Sequence, residues 1–444
     1  MNPSFHIIDF VIVGIYAILL VGVGLWVSRT KKGHTKTAED YFLASKALPW
    51  WAIGSSLIAA NISAEQFIGM SGSGFAIASY EFMAALTLII VGKFFLPIFI
   101  KQGIYTIPEF VEKRFSTNLK TILAVFWIAL FVFVNLTSVL FLGGKAIDTI
   151  VGVGDGSMIV PAIIALAIFA AAYSLYGGLS AVAWTDVIQV ALLVIGGIIT
   201  TLIALHYVTP DGGILNGISH IADAASDKFD MVLSRDNKEF NNLPGIYVLI
   251  GGLWVANLYY WGFNQYIIQR TLAAKSLTEA QRGIAFAAFL KMLIPFIVVI
   301  PGIVAWVMYS EDLYGARSAF EIAGSTALNN DNAYPWLIST FIPVGVKGLV
   351  LAALAAAIVS SLASMLNSTS TIFTMDIYKP YINREASQTK LVNVGRLTAG
   401  IALIIAVCLA PLLGGIDQMF QYIQEYTGLV SPGILAVFLM GLFW

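Results

Sequence analysis

The stretch Leu57-Ile-Ala-Ala-Asn61-Ile-Ser63-Ala-Glu65-Gln66-Phe67-Ile-Gly-Met70 decides how this chain folds. It lies inside an apolar run long enough to cross a bilayer, yet Asn61, Ser63, Glu65 and Gln66 are polar. Hydrocarbon supplies no water to such groups, so the cluster marks a helix broken near the membrane midplane, where freed carbonyls and amides serve cations and solutes. The alternative is a polar helix face packed against its neighbours. A second stretch repeats the feature: Gly251-Gly-Leu-Trp-Val-Ala-Asn257-Leu-Tyr-Tyr260-Trp261-Gly262-Phe-Asn264-Gln265. Two interruptions in corresponding positions favour broken helices.

Working outward, runs near 20 apolar residues place eleven spans close to 7–28, 50–74, 78–100, 119–147, 158–177, 181–205, 244–268, 284–309, 346–376, 393–413 and 418–444. The chain of 444 residues is 59% hydrophobic and only 11% charged, against about 25% charged in a soluble domain. That excludes a cytosolic enzyme, a nucleic-acid binder and a disordered chain. Lys+Arg (24) nearly equals Asp+Glu (25), so no charge excess points to a polyanionic partner. The single cysteine, Cys408, excludes an intramolecular disulfide, and four scattered histidines form no metal cluster. The first run lacks a basic n-region and a small-residue cleavage site, so it reads as a span and not a signal peptide.

Sixteen basic residues fall in the loops after spans one, three, seven and nine, from Arg29 and Lys36 through Lys113 and Arg270 to Lys390 and Arg396. Six lie on the other side: Lys145, Lys228, Arg235, Lys238, Arg317 and Lys347. The positive-inside rule then puts the N-terminus outside, in a multi-pass protein of the plasma (inner) membrane. With span one and its loop set apart (1–49), spans two to six (50–205) and seven to eleven (244–444) form two blocks of five, separated by an outward loop (206–243). Each block opens on an interrupted helix. Five is odd, so the second block runs inverted relative to the first: an all-α polytopic membrane protein with a five-plus-five inverted repeat and one extra N-terminal helix.

Span nine carries Ala355-Ala-Ala357-Ile-Val-Ser360-Ser361-Leu-Ala-Ser364. Ala357, Ser360 and Ser361 share one helical face, where two hydroxyls and a freed carbonyl offer hard oxygen ligands to a small cation. Tight packing of small residues is the competing reading. Beside the broken span two, the cation site is preferred. Glu81 and Lys291 are opposite charges within the apolar layer; either they pair, or both reach a polar ligand. Gln66, Asn257 and Gln424 add amides, and Tyr260, Trp261 and Phe420 add aromatic faces. This mixture suits a sugar, while an amino acid would use Glu81 and Lys291 for its charged ends. Asp186 either stages cation release or bonds a basic residue such as Arg270. Asn135-Leu-Thr matches a glycosylation pattern but lies inside a span, where it has no meaning.

At these residues the chain resembles the sodium/solute symporter family, in particular its bacterial sugar-transporting members. The matching stretches are Ala59 through Gly72, Tyr173-Ser-Leu-Tyr-Gly-Gly-Leu-Ser-Ala-Val, Trp254 through Arg270, Ala355 through Asn367 and Phe420-Gln-Tyr-Ile-Gln-Glu-Tyr-Thr-Gly. The resemblance covers essentially the whole chain. It implies the leucine-transporter-type fold and sodium-coupled uptake of a hexose, galactose or glucose, with Na+ as coupling ion and no organic cofactor. A sodium-coupled amino-acid or vitamin symporter of the same fold is the alternative. By the resemblance, Gln66, Glu81, Asn257, Lys291 and Gln424 bind the sugar, and Tyr260 stacks on it as the inner gate, backed by Trp261. Met70, Tyr80 and Phe420 close the outer side. Carbonyls of Ala59, Ile62 and Ala357 with the hydroxyls of Ser360 and Ser361 bind sodium; Asn61 couples the broken helix to Tyr260, and Asp186 lies on sodium's exit path.

The family has a serine where this chain has Ala84, and the stretch Gly74–Ser79 is about a turn shorter than the family's. The family's chains also continue through further helices, so the sequence is expected to be part of a longer one. No nucleic acid is expected as partner, and a monomer is expected to be the functional unit in the bilayer. An intramembrane enzyme would need a nucleophile and base, or metal ligands, at the midplane. His6, His34, His206 and His220 instead fall at span ends or in loops.

Overall fold

The computed structural model describes residues 5–29, 33–63, 65–70, 78–152, 154–209, 211–237, 240, 245–321, 328, 330–414 and 419–444. The regular structure among the described residues is helical, with two isolated backbone bridges and no strand. Among the described residues, ten helices are long and apolar enough to cross a membrane. Span two is absent from that count because it is broken into a helix over Trp50–Asn61 and a short π-helical segment over Glu65–Met70.

Local sequence signals set many of the ends. Span one (Ile7–Val27) starts from a reciprocal cap between His6 and Asp9. Span four (Thr117–Val151) follows the Ser116 cap, span eight (Leu277–Ser310) the Ser276 cap, and span ten (Gln388–Leu413) the Ser387 cap. Span five (Ile159–Gly177) stops at Gly178, whose φ of 67° and contact with the Tyr41 carbonyl leave no room for a β-carbon. The chain turns there directly into span six (Leu179–Tyr207).

Span nine (Val346–Ile382) is the central post. Its most apolar window is 94% buried, against 17% for span one, which lies at the periphery facing lipid. Span six packs along span nine, and span eight along span two. The crossings are close because Gly196 of span six faces Ala353 of span nine and Gly283 of span eight faces Ile53 of span two, where small residues let backbones approach. Span one is tied to this post: the Asp9 carboxylate accepts from the amides of Gly345 (2.7 Å) and Gly348 (2.8 Å) at the start of span nine. A carboxylate there answers the free amides and positive end of the helix.

Candidate solute and cation site

The break in span two follows from its own polar residues. The helix ends at Asn61, and Ile62 leaves helical geometry at φ −82° and ψ 98°. The Gln66 side-chain oxygen accepts from the Ser63 amide (2.9 Å) and hydroxyl (3.1 Å), so the side chain replaces a helical carbonyl. Ending a helix frees its last carbonyls. One of them, Ala60, accepts the Ser361 hydroxyl at 3.0 Å, and that hydroxyl also reaches Ala357 in its own helix at 3.1 Å. Span nine is thereby held against the unwound point by oxygen-rich groups, with Ala59, Ile62 and Ala357 all buried beside it. The Ser360 hydroxyl turns the other way and donates to Asp186 at 2.5 Å.

Asp186 is the hub of a buried network. It also accepts from Ser56 (2.5 Å) and lies 3.7 Å from Arg270, whose guanidinium further bonds Ser56, Ser364 and the Tyr266 carbonyl. Of the two readings of Asp186, the bond to Arg270 is present here. A fully buried charge of this kind persists only when paired and hydrogen-bonded.

Span seven (Gly245–Phe263) carries a π-helical turn over Val248–Gly252 and breaks at Asn264, after which a short helix runs over Gln265–Leu272. The Tyr260 hydroxyl accepts from Asn61 at 2.9 Å and pairs with the Tyr266 hydroxyl at 2.6 Å, joining the two interrupted spans. Trp261 packs edge-on to Tyr260, with ring centroids 5.1 Å apart, and donates to Asn257 at 3.2 Å. Below this layer Gln265 holds Tyr105 and Ile107, while Gln269 holds Phe42, Ser368 and Thr371. The side facing the basic loops is thus closed by hydrogen bonds.

Between these elements lies a cavity of about 90 Å³. Gln66, Glu81, Asn257, Tyr260 and Lys291 all line it, as do Met70, Tyr80, Trp261 and Asn61. Ala84 lines it too, so the missing serine hydroxyl falls on the cavity wall. Lys291 and Glu81 are buried and paired with each other, with the ammonium 5.5 Å from the centroid of the Trp261 ring. The side chains of Phe420 and Gln424, expected in the outer gate and the pocket, lie outside the described residues, as does the stretch 71–77. The neighbouring Ile423 and Thr427 do line the cavity.

Sequence reasoning missed Asn135, Tyr259, Asn264 and Tyr266, which also line it. Asn135 sits in a π-helical turn of span four, Leu130–Leu136, and its carbonyl oxygen is buried without a partner. In the sequence it is only a lone amide in an apolar run, within a stretch that also fits a glycosylation pattern.

A model of the sodium:solute symporter family matches residues 41–444. The sodium/glucose cotransporter of Vibrio parahaemolyticus is 66% identical over 444 residues, covering 98% of this chain and 81% of that protein. The sodium/myo-inositol cotransporter of Homo sapiens is 33% identical over 469 residues, covering 98% of this chain and 63% of that protein. The chain therefore spans about four-fifths of the bacterial relative and under two-thirds of the mammalian one. Among solved structures, a Na+-coupled sialic acid symporter in a substrate-bound outward-open state superposes with a TM-score of 0.83 at 27% identity, covering 99% of this chain and 88% of that one. The fold is the leucine-transporter-type five-plus-five arrangement with one preceding helix.

Proposed function

Because the chain belongs to the sodium:solute symporter family, we propose that it carries a neutral hexose, galactose or glucose, into the cell with sodium by alternating access. The observation that carries the choice of solute is the Glu81–Lys291 pair. The two charges neutralise each other within a wall otherwise made of amides, aromatic rings and uncharged small or aliphatic side chains. A neutral polyol hydrogen-bonds such a wall without breaking the pair. An amino acid would have to separate it, leaving buried charges to be re-paired at a cost of several kcal/mol. The name of the Vibrio relative supports the same solute class.

In this reading sodium sits where span nine meets the break in span two, held by carbonyls of Ala59, Ile62 and Ala357 and by the hydroxyls of Ser361 and Ser360. It enters by displacing the hydrogen bond that Ser361 makes to Ala60. Binding there fixes the broken helix, and with it Gln66 and Asn61, in position for sugar. Sugar then meets Gln66, Glu81, Asn257, Lys291 and Gln424, with Tyr260 against the apolar face of its ring. Met70, Tyr80 and Phe420 close over it. The inner layer opens when Tyr260 leaves Asn61 and Tyr266, and sodium departs past Asp186 to the side that the basic loops assign to the cytoplasm, leaving the N-terminus outside.

The test is uptake of radiolabelled galactose into proteoliposomes with an inward sodium gradient, against a matched potassium control. Sodium-dependent uptake competed by glucose and not by proline is the expected result. Sodium-driven uptake of amino acids with no response to hexoses would overturn the solute, and sodium-independent hexose flux would overturn the coupling.

A further inference from the structure

We propose that the junction of spans five and ten, on the side of the basic loops, binds the phosphate of an anionic phospholipid through Lys36 and Arg396. Lys36 precedes the short helix Ala38–Phe42, and Arg396 lies in the third turn of span ten. The Lys36 ammonium donates to the carbonyls of Tyr176 (3.2 Å) and Gly177 (3.1 Å), and Arg396 donates to the same Tyr176 carbonyl at 3.2 Å. Both cations also lie over the same two rings. Lys36 is 5.6 Å from the Tyr41 centroid and 5.5 Å from that of Tyr176; Arg396 is 5.7 and 5.3 Å away. Two like charges thus converge on the negative end of span five, where carbonyl dipoles and ring faces offset only part of their repulsion.

No carboxylate completes the arrangement. Among the described residues neither cation makes an ion pair. Asp40, the acid that bears on Lys36, is already engaged by His34 (2.7 Å), the Ser45 hydroxyl (2.7 Å) and the Thr37 amide (2.9 Å). The Arg396 Nε is buried with no hydrogen-bond partner. Burial, and then Arg396, push the Lys36 ammonium down to about 8 despite Asp40. An anion seated between the two cations relieves both causes.

The surroundings select a lipid as the source of that anion. Above the two cations, Ile164 and Ile168 of span five and Leu397, Ile401 and Ile404 of span ten are exposed and apolar, on helices that pack together. Tyr176, 44% exposed, stands where the polar and apolar zones meet, as interfacial aromatics do. A headgroup phosphate on Lys36 and Arg396 can therefore lay its acyl chain along this stripe, which a free phosphate cannot use. Basic pockets between helices on the cytoplasmic side are suited to anionic headgroups. The placement of this side in the inner leaflet rests on the orientation proposed above.

The experiment titrates phosphatidylglycerol, phosphatidylcholine or inorganic phosphate into the purified full chain in detergent, reading lipid retention by native mass spectrometry and the unfolding midpoint. Phosphatidylglycerol should be retained in preference to phosphatidylcholine and should raise the midpoint. Combined Lys36→Gln and Arg396→Gln should weaken that retention roughly 30-fold, from about 1 kcal/mol per cation near a charged surface. Lys390→Gln, at the exposed start of span ten, should leave it unchanged. Wild-type retention without headgroup preference overturns the site, and this arm needs no variant to fold. Unchanged affinity in a monodisperse double variant overturns the assignment to these two residues. A midpoint shift reproduced by inorganic phosphate overturns the lipid in favour of a free anion.

Discussion

The Glu81–Lys291 pair is the residue-level feature on which the solute assignment turns, and it separates stability from binding. Both groups are buried, so removing one leaves the other as an uncompensated charge. Lys291→Met should lower the unfolding free energy by about 3–5 kcal/mol, whereas joining it to Glu81→Gln should restore most of the loss, because an absent pair costs little. Neither variant should bind sugar. Thermal unfolding with and without galactose checks both halves; a double variant that recovers galactose protection along with stability would remove the pair from the site. The two charges were legible as intramembrane ions, but whether they faced each other was not. They are 210 positions apart, and only the packing of span eight against span three sets that distance. Asn135 was illegible for the opposite reason. It is a single amide, and nothing in its neighbours says which way a helix with a π-turn points it.

At the scale of elements, the broken span two and the central span nine make one unit. Ser361 is the hydroxyl that touches both. Ser361→Ala removes an oxygen ligand worth about as much as one hydrogen bond, so the sodium concentration for half-maximal uptake should rise up to about tenfold. The order in which sugars compete should not change. Sodium dependence of uptake measures this, and an unaltered half-saturation would discredit the cation site at this crossing. The break itself was readable, since Asn61, Ser63 and Gln66 are types that offer the backbone an alternative to a helix. The π-helical turns in spans three, four, seven and nine were not, because widening by one residue leaves length and hydropathy unchanged.

Span one makes a second argument at this scale. It buries little of its surface, yet Asp9 is fully buried and caps span nine. Asp9→Ala forfeits charge-assisted hydrogen bonds to two amides and should reduce stability by about 2–3 kcal/mol, with Asp9→Asn in between. If both variants unfold as the parent does, span one is a passenger and not a brace. Nothing in the sequence sets apart an acid near a span end; only the fold brings Asp9 to Gly345 and Gly348.

For the whole molecule, a single sodium held where span two meets span nine would mean one sodium for each sugar, and that number has a thermodynamic signature. A single positive charge moving down the membrane potential contributes about 2.3 kcal/mol per 100 mV. A tenfold sodium gradient adds about 1.4 kcal/mol. The sugar ratio at steady state should therefore change roughly 50-fold for each 100 mV applied, and in direct proportion to the sodium ratio. A second coupled sodium would square both dependences, whereas a channel would show neither. Proteoliposomes clamped with a potassium gradient and valinomycin, with galactose accumulation read at several potentials, distinguish these cases. A slope of one charge fits a single cation held between the Ser361 hydroxyl and the Ala357 carbonyl. A slope of two requires another sodium to be bound elsewhere in each cycle.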